Sequence, residues 1–142
     1  MTKTPTSPFK ILIADDDTDD VQLTKECFLE NKISIQINEV YDGQLLMDHL
    51  KAHAKNLPHL ILLDLNMPRK GGFEALEEIK NSETLRKIPV VIFSTSEAQQ
   101  DVEKAYDLGA SCFISKPNNF QEWCDKMHKI GKFWVECVRL PH

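Results

Sequence analysis

Residues 60–68, Leu60-Ile61-Leu62-Leu63-Asp64-Leu65-Asn66-Met67-Pro68, decide the fold. Four consecutive aliphatic side chains leave no polar face, so the segment reads as a strand covered on both sides, as in the middle of a parallel sheet. Pro58 and Pro68 bound it, and Arg69, Lys70, Gly71 and Gly72 form the turn that follows. The run ends in a carboxylate. Ligands of open α/β sheets bind outside the carboxyl ends of the strands, which puts Asp64 where chemistry is expected. A lone strand-end Asp more often only shapes its turn. What the neighbouring strands deliver to the same rim therefore decides its role.

On the N-terminal side, Lys10-Ile11-Leu12-Ile13-Ala14 predicts a short strand running into Asp15, Asp16 and Asp17. Thr18 opens a helix to about residue 32, with Asp19 and Asp20 in its first turn, where negative charge suits the positive end of the helix dipole. Ile33-Ser34-Ile35-Gln36-Ile37 alternates with period two and predicts an edge strand exposed on one face, with residues 40–43 as its exit turn. A second helix is expected over residues 44–55. Beyond the double glycine, Phe73, Leu76 and Ile79 recur at helical spacing, predicting a third helix that ends near Ser82. Val90-Val91-Ile92-Phe93 follows Pro89 as a strand and runs into Ser94-Thr95-Ser96. A helix over residues 98–108 ends ahead of Gly109. Cys112-Phe113-Ile114-Ser115 is a fifth strand closed by Lys116-Pro117, and residues 120–138 form a last helix. Strand and helix alternate five times, which implies an α/β fold: a parallel sheet, doubly wound, with helices on both faces and right-handed crossovers. Residues 10–142 read as one domain behind a flexible polar leader, residues 1–9.

The 142 residues suffice to bury a core without staples. A net charge of -5 without a basic stripe argues against a nucleic-acid surface. No apolar run reaches the length of a membrane span, and the N-terminus lacks the apolar core of a signal peptide, so no membrane and a cytoplasmic location are expected. Cys27, Cys112, Cys124 and Cys137 lie far apart with no C-x-x-C pair. Neither a zinc site nor a redox motif follows, and four free thiols in a reducing cytoplasm are expected.

Three carboxylates (Asp15, Asp16, Asp64), a hydroxyl (Ser94) and an ammonium (Lys116) all stand at or just past strand ends, so a parallel sheet gathers them at one rim. Clustered carboxylates repel unless a hard cation sits between them, and Mg²⁺ prefers oxygen ligands. A lysine and a hydroxyl opposite suit the charge of a phosphoryl group.

In this combination (D-D after the first strand, D-L-N-M-P with G-G after the third, S-T after the fourth, K-P after the fifth) the chain resembles the receiver domains of two-component response regulators, over residues 10–138. The resemblance implies a flavodoxin-like five-stranded sheet of order 2-1-3-4-5, in keeping with the edge placement of the second strand. It implies that Asp64 accepts a phosphoryl group from a sensor histidine kinase. It further implies that Asp16, Asp64 and the backbone carbonyl of Asn66 hold Mg²⁺ directly and Asp15 through water. Lys116 would pair with the phosphoryl oxygens, across a cis bond to Pro117, and Ser94 would swing in as the switch. Phe113 takes the aromatic switch position, often Tyr in the family, and has no hydroxyl to bond when it turns inward. The protein would be a phosphoacceptor with self-catalysed phosphotransfer and dephosphorylation, not an enzyme in the usual sense. The small regulators paired with phytochrome-type kinases are a narrower resemblance. As only one helix follows Lys116-Pro117, a stand-alone receiver is expected, signalling through a target protein or relaying to a histidine phosphotransfer protein.

Two other classes compete. Asp15, Asp17, Asp19 and Glu26 match a calcium loop in part, but the position that needs Gly is Asp20 and a strand precedes it. A phosphatase with an Asp nucleophile would use Asp15 and give Asp64 a lesser role. His49 and His53, four apart on a helix, lack a third ligand and read as a solvated face. Trp123, Met127, Ile130, Trp134 and Cys137 form the expected core stripe of the last helix. That helix is longer than a strand needs to be covered, so Phe133, Trp134, Val138 and Leu140 suggest a homodimer contact.

Overall fold

The strands sort their side chains by parity, and this builds two cores. The computed structural model describes residues 8–30 and 34–141. In chain order the elements are β1 (Phe9–Ala14), α1 (Thr18–Leu29), β2 (Ile35–Val40), α2 (Gly43–Ala52), β3 (Leu60–Leu63), α3 (Gly72–Lys80), β4 (Val90–Ser94), α4 (Gln99–Asp107), β5 (Cys112–Ser115) and α5 (Phe120–Ile130). All strands run parallel in the order β2-β1-β3-β4-β5. This is the flavodoxin-like doubly wound sheet expected, with β3 at its centre and β2 at one edge. Because successive side chains point to opposite faces, Leu12, Ile61, Leu63, Val90 and Ile92 pack with Leu46, Leu50, Leu76 and Ile79 under α2, α3 and α4. Ile11, Ile13, Leu60, Leu62, Val91 and Phe93 pack with Val21, Phe28, Trp123 and Met127 under α1 and α5. All four side chains of β3 are buried, as its unbroken aliphatic run demands.

Several boundaries move. Helix α1 ends at Leu29, with Glu30 as its C-cap; residues 31–33, which held its expected end and Ile33 of the next strand, lie outside the described residues. Strand β2 continues through Val40, because pairing with β1 extends to Ala14. Helix α2 stops at Ala52, where His53 leaves helical geometry at φ -111° and ψ 33°. Strand β1 takes in Phe9; residues 1–7 of the leader are outside the described residues.

The last helix departs most. After Ile130 it widens into a π-helical segment, Gly131–Cys137, with i→i+5 bonding. Trp123, Met127 and Ile130 are buried and Trp134 is packed against the same core, so the stripe holds that far. The wider turn then carries Cys137 off the stripe, and it is exposed. Phe133 is exposed beside Trp134.

The expectation of four free thiols is overturned: Cys27 and Cys124 form a disulfide, and only Cys112 and Cys137 are free. Strand order explains it, since α1 and α5 cover the same face and bring the two Cα atoms to 4.8 Å, within disulfide reach. Beside this bond the Trp123 indole N–H donates to the buried Thr24 hydroxyl at 3.0 Å. Trp123→Phe keeps most of the ring volume but strands that hydroxyl. The expected loss is about 1–3 kcal/mol of stability, read as a lower urea midpoint at unchanged slope.

Candidate functional site

Strand β1 ends at Ala14, so Asp15 and Asp16 leave the sheet at its carboxyl rim, and β3 delivers Asp64 beside them: the Asp64 N–H donates to Ala14 O at 2.9 Å. Ligand oxygens of Asp15, Asp16 and Asp64 lie within 4.8 Å of one another. Asp15 and Asp64 are buried and Asp16 is exposed. Asp17, next in line, is the N-cap of α1 and accepts from the N–H groups of Asp19 and Asp20. A capping carboxylate of this kind is committed to the helix, and this removes Asp17 from the calcium-loop pattern.

Strand β5 brings in the cation. Lys116 N–H donates to Ser94 O at 2.8 Å, continuing the β4–β5 ladder one residue beyond the Ser94–Ser115 pair. From there the almost fully buried Lys116 side chain donates to Asp15 Oδ2 at 2.7 Å, Asp20 Oδ2 at 2.8 Å and Asp64 Oδ2 at 3.2 Å. Burial pulls the ammonium down, but the hydrogen bonds to Asp15 and Asp20 outweigh it and hold its pKa above the ordinary lysine range. Asp15 moves the other way. Burial pushes it up to about 6 against the lowering effect of Lys116 and of the Asp17 N–H, and the Asp64 charge adds to the rise. The peptide bond from Lys116 to Pro117 is trans, not cis as expected. Trans is the intrinsically favoured isomer even before proline, and from it Lys116 already reaches all three carboxylates.

Asp20 is the site residue that reading the sequence missed. Its place in the first turn of α1 looked like a dipole contact alone, yet that turn begins at the sheet rim and so aims at the same pocket. Ser94 is wholly buried, its hydroxyl accepting from Ser96 N–H at 3.4 Å. Asn66 N–H donates to Asp64 Oδ1 at 3.4 Å. Phe113 is part-buried against the α2–α4 core, and its N–H donates to the Tyr106 hydroxyl at 3.2 Å. A cleft of about 720 Å³ opens beside Lys116, lined by Asp17, Asp20, Thr95, Pro117 and Phe120 among others.

The loop after β3 is braced on its far side. Arg69 adopts a left-handed φ of 63° and its guanidinium pairs with Asp42, the N-cap of α2, at 2.9 Å. Hydrogen bonds from Arg69 and from Leu45 N–H hold the Asp42 carboxyl below its usual range. Gly72 packs on the backbone of Asp64 and Leu65: a Cβ there would overlap the Asp64 carbonyl oxygen and lie 2.6 Å from Leu65 Cα. Backbone cannot swing aside as a side chain can. Gly72→Ala is therefore expected to cost about 1–3 kcal/mol and to shift Asp64, seen as a lower Tm together with weaker divalent-metal binding.

The donor set fits a hard divalent cation: three carboxylates converge, all oxygen ligands, and among the described residues the Lys116 ammonium pairs with two of them, Asp15 and Asp64. Among the described residues no helix is long and apolar enough to cross a membrane. A family model for the response regulator receiver domain matches residues 11–128. The response regulator Rcp1 of Synechocystis sp. is 36% identical over 138 residues, covering 94% of each chain. A crystal structure of the phosphorylated cyanobacterial phytochrome response regulator RcpA superposes with a TM-score of 0.90 at 36% identity, covering 96% of this chain and 100% of that one. The Mn²⁺-bound form of Rcp1 does so at 0.88 and 35%, covering 95% and 100%. With the sheet order, the acidic pocket, the buried lysine and these relatives in agreement, the chain belongs to the response regulator receiver domain family.

Proposed function

We propose that this receiver accepts a phosphoryl group on Asp64 from the phosphohistidine of a sensor kinase and signals through a phosphorylation-dependent protein contact. The observation that carries this reading is the convergence of Lys116 Nζ on Asp64, Asp15 and Asp20 within 3.2 Å at the carboxyl rim of the sheet. Asp16, Asp64 and the backbone carbonyl of Asn66 would hold Mg²⁺, with Asp15 acting through water. When bound, the ion neutralises charge that builds on the transferring phosphoryl oxygens.

A carboxylate oxygen of Asp64 attacks phosphorus, the bond from phosphorus to the imidazole nitrogen of the donor breaks, and the electron pair stays on that nitrogen. Lys116 holds the acidic pocket together before transfer and turns its ammonium to the phosphoryl oxygens afterwards. Ser94, buried at the end of β4, then donates a hydrogen bond from its hydroxyl to a phosphoryl oxygen, and β4 follows. Phe113 responds by packing alone. Its N–H contact to the Tyr106 hydroxyl connects that response to α4. Residues 10–142 act as one receiver domain, located in the cytoplasm. Homodimerisation through the last helix would draw on Phe133, which is 53% exposed, because Trp134 is packed against its own domain.

The test is intact mass over a quenched time course from milliseconds to minutes with acetyl phosphate. One phosphoryl group per chain is expected with Mg²⁺ and none with EDTA. Failure to see an adduct at any time with Mg²⁺, or an adduct indifferent to EDTA, contradicts the reading.

A further inference from the structure

Asp20, Thr24 and Cys27 lie four and three residues apart on α1 and so share one stripe of the helix. Each meets a partner between the end of β5 and the middle of α5. Asp20 accepts from Lys116 at 2.8 Å, Thr24 accepts from Trp123 at 3.0 Å, and Cys27 is bonded to Cys124. The seam is thus an ion pair, a hydrogen bond and a covalent bond in a row, and its first member belongs to the acidic pocket. The covalent member joins positions 97 apart in sequence. The two residues differ in burial: Cys27 is buried, whereas Cys124 is part-buried against the same core. Cys112 lies on β5, where burial raises its thiol pKa, and Cys137 lies past the seam in the π-helical segment.

We propose that Cys27 and Cys124 are a thiol–disulfide exchange pair, and that the seam between α1 and α5 is a clamp set by redox state. In a reducing compartment such bonds are transient and regulatory more often than structural. Opening needs two thiol equivalents, from a dithiol or from two molecules of reduced glutathione. The first thiolate attacks the Cys124 sulfur, on the less buried residue of the pair, the Cys27–Cys124 bond breaks, and the electron pair leaves on Cys27, which takes up a proton. The second thiolate then attacks the reductant's sulfur in the mixed disulfide, freeing Cys124, and the oxidised reductant leaves as a disulfide. Closing needs a disulfide such as oxidised glutathione: Cys124 thiolate displaces one glutathione thiol, and Cys27 thiolate displaces the other. In the open state the Thr24–Trp123 hydrogen bond still joins α1 to α5 and the Asp20–Lys116 pair still joins α1 to the end of β5, but the covalent link between the helices is gone, so α1 and α5 open more readily. The proposal rests on the cytoplasmic location proposed above, not on phosphoryl acceptance.

The full chain is equilibrated across glutathione buffers from fully reduced to fully oxidised, quenched in acid, and alkylated with N-ethylmaleimide in denaturant. Intact mass is expected to show four alkyl groups at the reduced end and two at the oxidised end, reversibly, with Cys27 and Cys124 as the protected pair on peptide mapping. Reduction is expected to lower Tm by roughly 5 to 15 °C and to speed amide exchange in α1 and α5. Cys27→Ser and Cys124→Ser should each match the reduced wild type and ignore glutathione. Four alkyl groups at every ratio would show that no bond forms, and two groups that persist in excess dithiothreitol would show a permanent bond. Either result overturns the proposal, as does a glutathione-dependent Tm shift that survives in Cys124→Ser. No arm uses a phosphodonor, so this test and that of the proposed function fail independently.

Discussion

Asp64→Asn is expected to abolish phosphoryl acceptance from acetyl phosphate and, in the absence of divalent metal, to raise the stability of the fold. Both effects come from the same atoms. The amide is too weak a nucleophile to attack phosphorus, so the acyl phosphate cannot form. The substitution also removes one of three carboxylates whose oxygens lie within 4.8 Å of one another, while an amide oxygen can still accept from Lys116. Relief of repulsion with Asp15 and Asp16 should amount to about 1–2 kcal/mol at neutral pH, well below the full Coulomb energy because solvent reaches Asp16. The same coupling governs the pH dependence. Asp15 is raised in the folded state to about 6, so in EDTA its contribution to stability is fully present below its unfolded pKa near 4 and is lost as pH rises through 6. Because the Asp64 charge contributes to that rise, the slope should be shallower in Asp64→Asn. Thermal melts in EDTA between pH 4 and 8 measure both features, and an unchanged slope would contradict the charge coupling.

Lys116→Met should weaken the protein in the opposite sense and depend on metal. The ammonium is almost fully buried and is shared by Asp15, Asp20 and Asp64. Removing one partner of a buried ion pair typically costs about 3–5 kcal/mol, because the remaining charges have no counter-charge. In EDTA at pH 7 the variant is therefore expected to melt well below the wild type. Lowering the pH should narrow the gap as Asp15 takes up a proton, and saturating Mg²⁺ should narrow it by supplying positive charge to the same carboxylates. Phosphoryl acceptance should fall by roughly 10²- to 10³-fold even with Mg²⁺ present and the fold intact, the range seen when one preorganised charge-stabilising donor is lost. A variant that melts early yet accepts phosphoryl groups at the wild-type rate would make Lys116 a structural counter-ion only.

Much of this site can be read from residue order. The unbroken run Leu60-Ile61-Leu62-Leu63 admits only a strand covered on both faces, and with it in the centre the polar residues after β1, β3, β4 and β5 must meet at one rim. What escaped was information carried between elements. Asp20 contacts Lys116 because the first turn of α1 starts at that rim, a consequence of the β1–α1 turn and not of any local pattern. The Cys27–Cys124 pair becomes visible only once α1 and α5 are known to cover the same face, which follows from the strand order and the right-handed crossovers. Pairing could have been asked of the topology, whereas spacing along the chain says nothing about it. The change from α to π geometry at Gly131 has no periodic signal: Trp134 keeps the stripe and Cys137 loses it only because the turn between them widens. At Pro117 the resemblance to the family implies a cis bond, and the intrinsic preference for trans prevails.

The central claim is that Asp64, and not Asp15 or Asp16, carries the phosphoryl group. Treating the freshly phosphorylated wild type with borohydride, which reduces an aspartyl phosphate to homoserine, and then mapping peptides tests this claim most directly. Homoserine at position 64, and unmodified Asp15 and Asp16, is the expected result. Homoserine at position 15 or 16 would move the nucleophile to β1 and contradict the account.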